Sequence, residues 1–139
     1  MQQSTAIFWP VFVQVALIYL VYYLLFSRRQ AEVKAGRARL SQFRDNAAEP
    51  DETRALKNNL TNQYELPVLF MVGCLASYAT GNADLLAVLL AWLFVALRIV
   101  HAVIHIGQNR LRHRVPVFIA GYVVNGLLWL WLAINIAIV

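Results

Sequence analysis

Charge is scarce in this 139-residue chain: 14% of its residues are Asp, Glu, Lys or Arg, while 60% are hydrophobic. A soluble domain carries about a quarter charged residues, so the composition excludes an ordinary soluble globule. It equally excludes an intrinsically disordered chain, which needs low hydrophobicity and high net charge. Cysteine is nearly missing. Cys74 stands alone inside an apolar run, which rules out an intrachain disulfide and a cysteine-based metal cluster. Internal repeats and low-complexity tracts are also lacking. The length suits one domain, taken here as residues 1–139.

What the chain has instead is long apolar runs. A membrane-spanning helix needs about 20 mostly apolar residues. Ile7–Phe26 supplies one, interrupted by Pro10 and Gln14. No Lys or Arg precedes it and Arg28-Arg29 follows it, which is the pattern of a span rather than of a signal peptide. Leu85–Ile106 and Val115–Val139 supply two more. The run Leu66–Ala79 is 14 residues, about 21 Å as a helix, short of a hydrocarbon core about 30 Å thick. It reaches the required length if the helix begins near Glu52, after Pro50, and continues to Thr80. The expectation is an all-α membrane protein, a four-transmembrane-helix bundle. Its spans are about 7–26, 60–80, 85–106 and 115–139, with polar loops about 27–59 and 107–114. The first loop carries a possible helical piece over Ala31–Leu40. The link Gly81-Asn82-Ala83-Asp84 is a tight turn with Asp84 as N-cap.

The net charge of +5 is a matter of topology. The basic residues Arg28, Arg29, Lys34, Arg37, Arg39, Arg44, Arg54 and Lys57 lie between the first two spans, and Arg110, Arg112 and Arg114 between the last two. The other segments outside the spans have none. The positive-inside rule puts both loops in the cytoplasm and both termini on the other side. A basic surface signals nucleic acid only in a soluble setting, so no nucleic-acid partner is expected.

An ionisable residue inside a span is costly and marks a functional site by default. Arg98, His101 and His105 sit at i, i+3 and i+7 on the third span, and Asn109 continues the series. At about 100° per residue they share one face. Asn58, Asn62 and Glu65 make a matching stripe on the second helix. Glu65 needs a cation, and Arg98 is the best-placed partner. Pro67 should kink the helix near this layer. The loop arginines Arg110, Arg112 and Arg114 close over the same end. The sum is a cationic, hydrogen-bonding pocket suited to a small anionic ligand, because guanidinium groups grip carboxylates.

Plainer roles stay open for the same residues. Glu65–Arg98 serves equally as a packing clamp between helices. His101 and His105 have helical metal-ligand spacing, yet no acidic cluster or cysteine accompanies them, so no metal is expected and hydrogen-bonded interface histidines fit better. Asn125 and Asn135 read as helix–helix glue, and Gly73 with Ser77 as a close-packing face. Tyr19, Tyr22 and Tyr23 read as interfacial belt residues. A transporter calls for an acidic residue in mid-span, which the first span lacks.

The motif Asn62-Gln63-Tyr64-Glu65-Leu66-Pro67 resembles the Asn-x-x-Glu…Pro signature on the second helix of the MAPEG family, the membrane-associated proteins in eicosanoid and glutathione metabolism. Arg98-Ile99-Val100-His101, then His105-Ile106-Gly107 and Arg114, resembles that family's third helix and following loop. The version present here is similar to a bacterial branch, which implies a bacterial inner membrane. The resemblance implies a homotrimer that binds glutathione between protomers at the cytoplasmic ends of the helices. Asn62 and Glu65 would hold the tripeptide, with Asn58, Arg98, His101 and His105 around it. Arg114 would stabilise the thiolate as the catalytic residue. The activity implied is that of a glutathione transferase or peroxidase acting on a lipophilic electrophile or lipid hydroperoxide drawn from the bilayer. The alternative is a non-catalytic relative that binds lipid or a partner protein in the same groove. The chain departs from many members at Asn58, where they carry Arg, at His105 and Phe118, where Tyr is common, and at Val115, where one branch has Ser.

Overall fold

A computed structural model describes residues 4–44 and 49–138. Val139, the end of the expected last span, and residues 45–48 of the first loop lie outside the described residues. After a 3₁₀ turn at Thr5–Ile7 come five α-helices: α1 Phe8–Lys34, α2 Asp51–Gln63, α3 Leu66–Ala79, α4 Leu85–Ile106 and α5 Leu111–Ile138. Among the described residues, three helices are long and apolar enough to cross a membrane: the Thr5–Lys34 segment, α4 and α5.

The boundaries depart from the sequence reading in three places. First, α1 does not stop at Phe26. Its extension Ser27–Lys34 is built of residues such as Arg28, Arg29, Gln30 and Ala31 that favour helix, and the chain turns only at Gly36, whose φ of +72° suits glycine. The expected helical piece over Ala31–Leu40 is therefore the end of α1 followed by a separate 3₁₀ turn at Leu40–Phe43. Second, the helix expected over Glu52–Thr80 is broken at Tyr64–Glu65 rather than merely kinked. Pro67 has no N–H to offer the carbonyl four residues back, and its ring would crowd that carbonyl. Starting a new helix with Pro67 in its first turn removes both problems. Third, α5 begins at Leu111, so Arg112 and Arg114 lie on its first turn rather than in a loop.

Packing is built on small residues and a few aromatics. Phe70 of α3 stacks on Phe94 of α4 at 4.4 Å, beside buried Ala87, Ala91 and Leu128. Gly73 lets α5 come close: a Cβ there would meet the indole of Trp129 at 3.2 Å, and Trp129 Nε1 donates to the Leu69 carbonyl at 3.1 Å. The small-residue face of α3 thus meets α5, as expected. Asp84 caps α4 by accepting from the Ala87 N–H at 2.9 Å, and also accepts from Trp131 Nε1 at 3.0 Å. Asn125 and Asn135 do not act as glue within the chain. Asn135 donates to Trp131 of its own helix, and buried Asn125 Oδ1 has no partner among the described residues.

The polar end is tied to α1 by Glu49. Its buried carboxylate accepts from Arg29 Nε at 3.0 Å, from Arg29 Nη2 and from the Thr53 hydroxyl at 2.6 Å. Burial pushes the Glu49 carboxyl up, but the hydrogen bonds from Arg29 and Thr53 outweigh it and leave the pKa below the ordinary carboxylate value. A depressed folded pKa stabilises the fold above the unfolded value of about 4.3 and loses that stabilisation as pH falls below it. Glu49→Gln should lower the stability of the detergent-solubilised protein at neutral pH by about 1–3 kcal/mol. It should also flatten the fall in melting temperature between about pH 5 and pH 3. Thermal melts across that range check both effects.

Candidate functional site

The break between α2 and α3 sets up the site. Asn62 has no Leu66 N–H in helical register to satisfy its carbonyl, because the helix stops at Gln63. Arg98 of α4 fills the vacancy, its Nη2 donating to the Asn62 carbonyl at 3.1 Å. Arg98 is only 1% exposed, and its Nε has no partner among the described residues. The expected Glu65–Arg98 ion pair is not made: no carboxylate among the described residues lies within 4 Å of this guanidinium. Glu65 falls in the break and turns outward, exposed. The clamp between these helices is therefore a guanidinium on a backbone carbonyl.

The third-span stripe faces inward as its spacing requires, with Arg98, His101 and His105 all buried. His105 Nδ1 lies 3.4 Å from Asn59 Nδ2 and 3.5 Å from Asn62 Nδ2. Asn59 Oδ1 accepts from Gln63 Nε2 at 3.0 Å, and Gln63 Oε1 accepts from Gln14 Nε2 of α1 at 2.9 Å. The result is a buried polar chain from α1 through α2 to α4. With both amides pointing this way, His105 Nδ1 is the acceptor at its end. The sequence reading gave no site role to three members of the chain, Gln14, Asn59 and Gln63. Gln14 is the one signal that was legible, as the only amide in the first span. On α2 the inward face carries Thr53, Leu56, Asn59 and Gln63, one residue out of phase with the expected stripe. Asn58 is exposed and Asn62 half-buried.

The loop arginines separate. Arg114 joins Asn62, His101, Val115 and Phe118 around a cleft of about 200 Å³. Its Nη1 donates to Asn109 Oδ1 at 2.7 Å, and Asn109 holds a left-handed backbone, φ 47°, which asparagine tolerates. Buried His101 presents an Nδ1 with no partner among the described residues. Arg110 and Arg112 line a different cleft with His113. Residues two apart on a helix point about 200° apart, so Arg112 and Arg114 cannot serve one pocket. The structure therefore brings together Asn62, Arg98, His101, His105 and Arg114, and leaves Asn58 and Glu65 on the outer flank of the same layer.

The MAPEG family model matches residues 6–134. The chain belongs to the MAPEG family. Family members are helical membrane bundles that form trimers and generally use glutathione. With its three long apolar helices, this MAPEG protein is an integral membrane protein. Comparisons with curated proteins and with solved structures give no match.

The neighbours Asn58 and Asn59 offer a direct check of which face of α2 holds the bundle together. Asn59→Ala strands a buried Gln63 donor and leaves His105 with Asn62 alone, and should cost about 1–3 kcal/mol in a detergent melt of the ligand-free protein. Asn58→Ala, at an exposed position, should change stability by no more than about 0.5 kcal/mol.

Proposed function

We propose that this MAPEG protein is a membrane-bound glutathione-dependent transferase or peroxidase, acting on a lipophilic electrophile or a lipid hydroperoxide. The observation that carries the reading is the meeting of Asn62, His101 and Arg114 at one cleft, directly beside a buried Arg98 that lacks a carboxylate partner. A buried cation with no carboxylate in contact with it costs several kcal/mol. Glutathione brings two carboxylates and a thiol that ionises. Arg98 and Asn62 would seat the tripeptide, with His101 and His105 beside them. Arg114 would face the sulfur, where a guanidinium lowers the thiol pKa and raises the thiolate fraction at neutral pH. The thiolate then attacks an electrophilic carbon to form a thioether, either expelling a leaving anion or adding to a polarised double bond whose carbanion takes a proton from water. With a hydroperoxide it attacks the terminal oxygen and releases the alcohol; a second glutathione resolves the sulfenic acid to disulfide and water.

The assembly follows from the same features. About 200 Å³ is small beside the 300–1,000 Å³ usual for ligand pockets, so a neighbouring protomer supplies the other wall. Asn58, Tyr64 and Glu65, close to Asn62 in the chain, are exposed and available to that wall. In the homotrimer α3, extended by the last turns of α2, is the fourth span. Both termini face away from the cytoplasm and the site faces into it, as the positive-inside rule requires. A bacterial inner membrane is the proposed location.

A second reading has its own support. Arg114 is already engaged by Asn109, and Val115 and Phe118 present no hydroxyl to the cleft. These features suit a non-catalytic relative that holds lipid or a partner protein there. Thermal melts with glutathione test the first reading. A ligand that binds only the folded state at a hundredfold excess over its Kd adds about 2.7 kcal/mol. A clear rise in Tm, lost with an analogue whose carboxylates are blocked, is expected. No rise at saturating glutathione sinks the enzyme reading. Arg114→Ala should abolish turnover while leaving the trimer and the glutathione-induced rise in place.

A further inference from the structure

The second cleft at the α4–α5 end has the chemistry of an amphiphile site. It encloses about 580 Å³. Its wall is apolar: Val103 and Ile104 from the last turns of α4, and Pro116 and Val117 from the first turns of α5. These residues continue the exposed apolar surface of α4 and α5, Val103 being 67% exposed. Its rim is cationic, formed by Arg110 and Arg112 with His113 beside them. Neither guanidinium has an ion-pair or side-chain hydrogen-bond partner among the described residues. Arg29, Arg37, Arg54 and Arg114 all have one. The rim also sits at the start of the 28-residue helix α5. The first backbone hydrogen bonds there are the His113 and Arg114 N–H groups to the Arg110 carbonyl. The N–H groups before them point outward at the positive end of the helix dipole.

We propose that this cleft binds an anionic phospholipid of the surrounding bilayer. The phosphate would lie between Arg110 and Arg112, and an acyl chain along Val103, Ile104 and Val117. Three observations converge on that occupant. The apolar wall is continuous with the lipid-facing surface, the two free guanidinium groups stand at the helix ends where headgroups lie, and the charge is of one sign. Basic pockets between transmembrane helices hold anionic headgroups for this reason. A zwitterionic headgroup carries its own ammonium and would be repelled by the same rim. The site is separate from the Arg114 cleft, so the proposal does not depend on the glutathione reading.

The test uses the full-length protein purified in detergent, without glutathione, and counts retained lipid by native mass spectrometry. Phosphatidylglycerol, phosphatidylcholine and oleate are titrated separately. Wild type should hold phosphatidylglycerol in clear preference to phosphatidylcholine. The double variant Arg110→Gln/Arg112→Gln should lose that preference by about thirtyfold, the worth of two juxtamembrane cations. A control, Arg28→Gln/Arg39→Gln, removes two exposed charges elsewhere and should keep it. Both variants change exposed side chains, and a melt confirms that each is folded. Equal binding of the two phospholipids overturns the proposal, as does an equal loss in both double variants. Oleate held as tightly as phosphatidylglycerol overturns the assignment to a phospholipid.

Discussion

A proline without an N–H organises this protein. Pro67 cannot continue the ladder begun in α2, so the helix ends at Gln63 and restarts at Leu66. The break frees the Asn62 carbonyl beside the buried face of α4, where an orphaned acceptor is expensive. Arg98 satisfies it at 3.1 Å. That contact holds a guanidinium, 1% exposed, in a place where a charge would otherwise be excluded. His101 and His105 follow on the same helix face, and the polar layer of the molecule is set.

The layer also explains why the helices register as they do. Within lipid, apolar surface gives helices little reason to prefer one another. Discrimination comes from close contact and from polar groups that must be satisfied. Gly73 supplies the first by admitting Trp129. The chain Gln14–Gln63–Asn59–His105 supplies the second, linking α1, α2 and α4. A one-residue slip of α2 would replace Asn59 by Asn58 or Leu60 and leave both the Gln63 amide and His105 unpartnered. Position along the chain and angle around the helix are thus both specified by hydrogen bonds.

Angle also divides the arginines at the start of α5. Arg112 and Arg114 read alike in the sequence, yet once α5 starts at Leu111 they point to opposite sides. One joins Asn62 and His101 in the polar cleft, and the other lines a second, largely apolar cleft with Arg110. A short cationic segment thereby contributes to two separate clefts.

Much of the fold was legible before any coordinates, because its signals are local. Low charge and three long apolar runs determined a membrane protein. The spacing of Arg98, His101 and His105 determined that they share a face, since helical periodicity needs nothing beyond the sequence. Asp84 announced its cap, and the ordered motifs from Asn62 to Arg114 pointed to the MAPEG family. Tertiary structure alone decided what those side chains touch. Periodicity leaves open where a helix breaks and which of two adjacent asparagines turns inward, so Asn58 stood in for Asn59 and Gln63 was given no role in the site. Glu65 looked like the partner of Arg98 because opposite charges attract in any sequence. The break turned Glu65 outward and offered Arg98 a carbonyl instead, because an unmet backbone acceptor in the bundle lies nearer than a carboxylate on its rim.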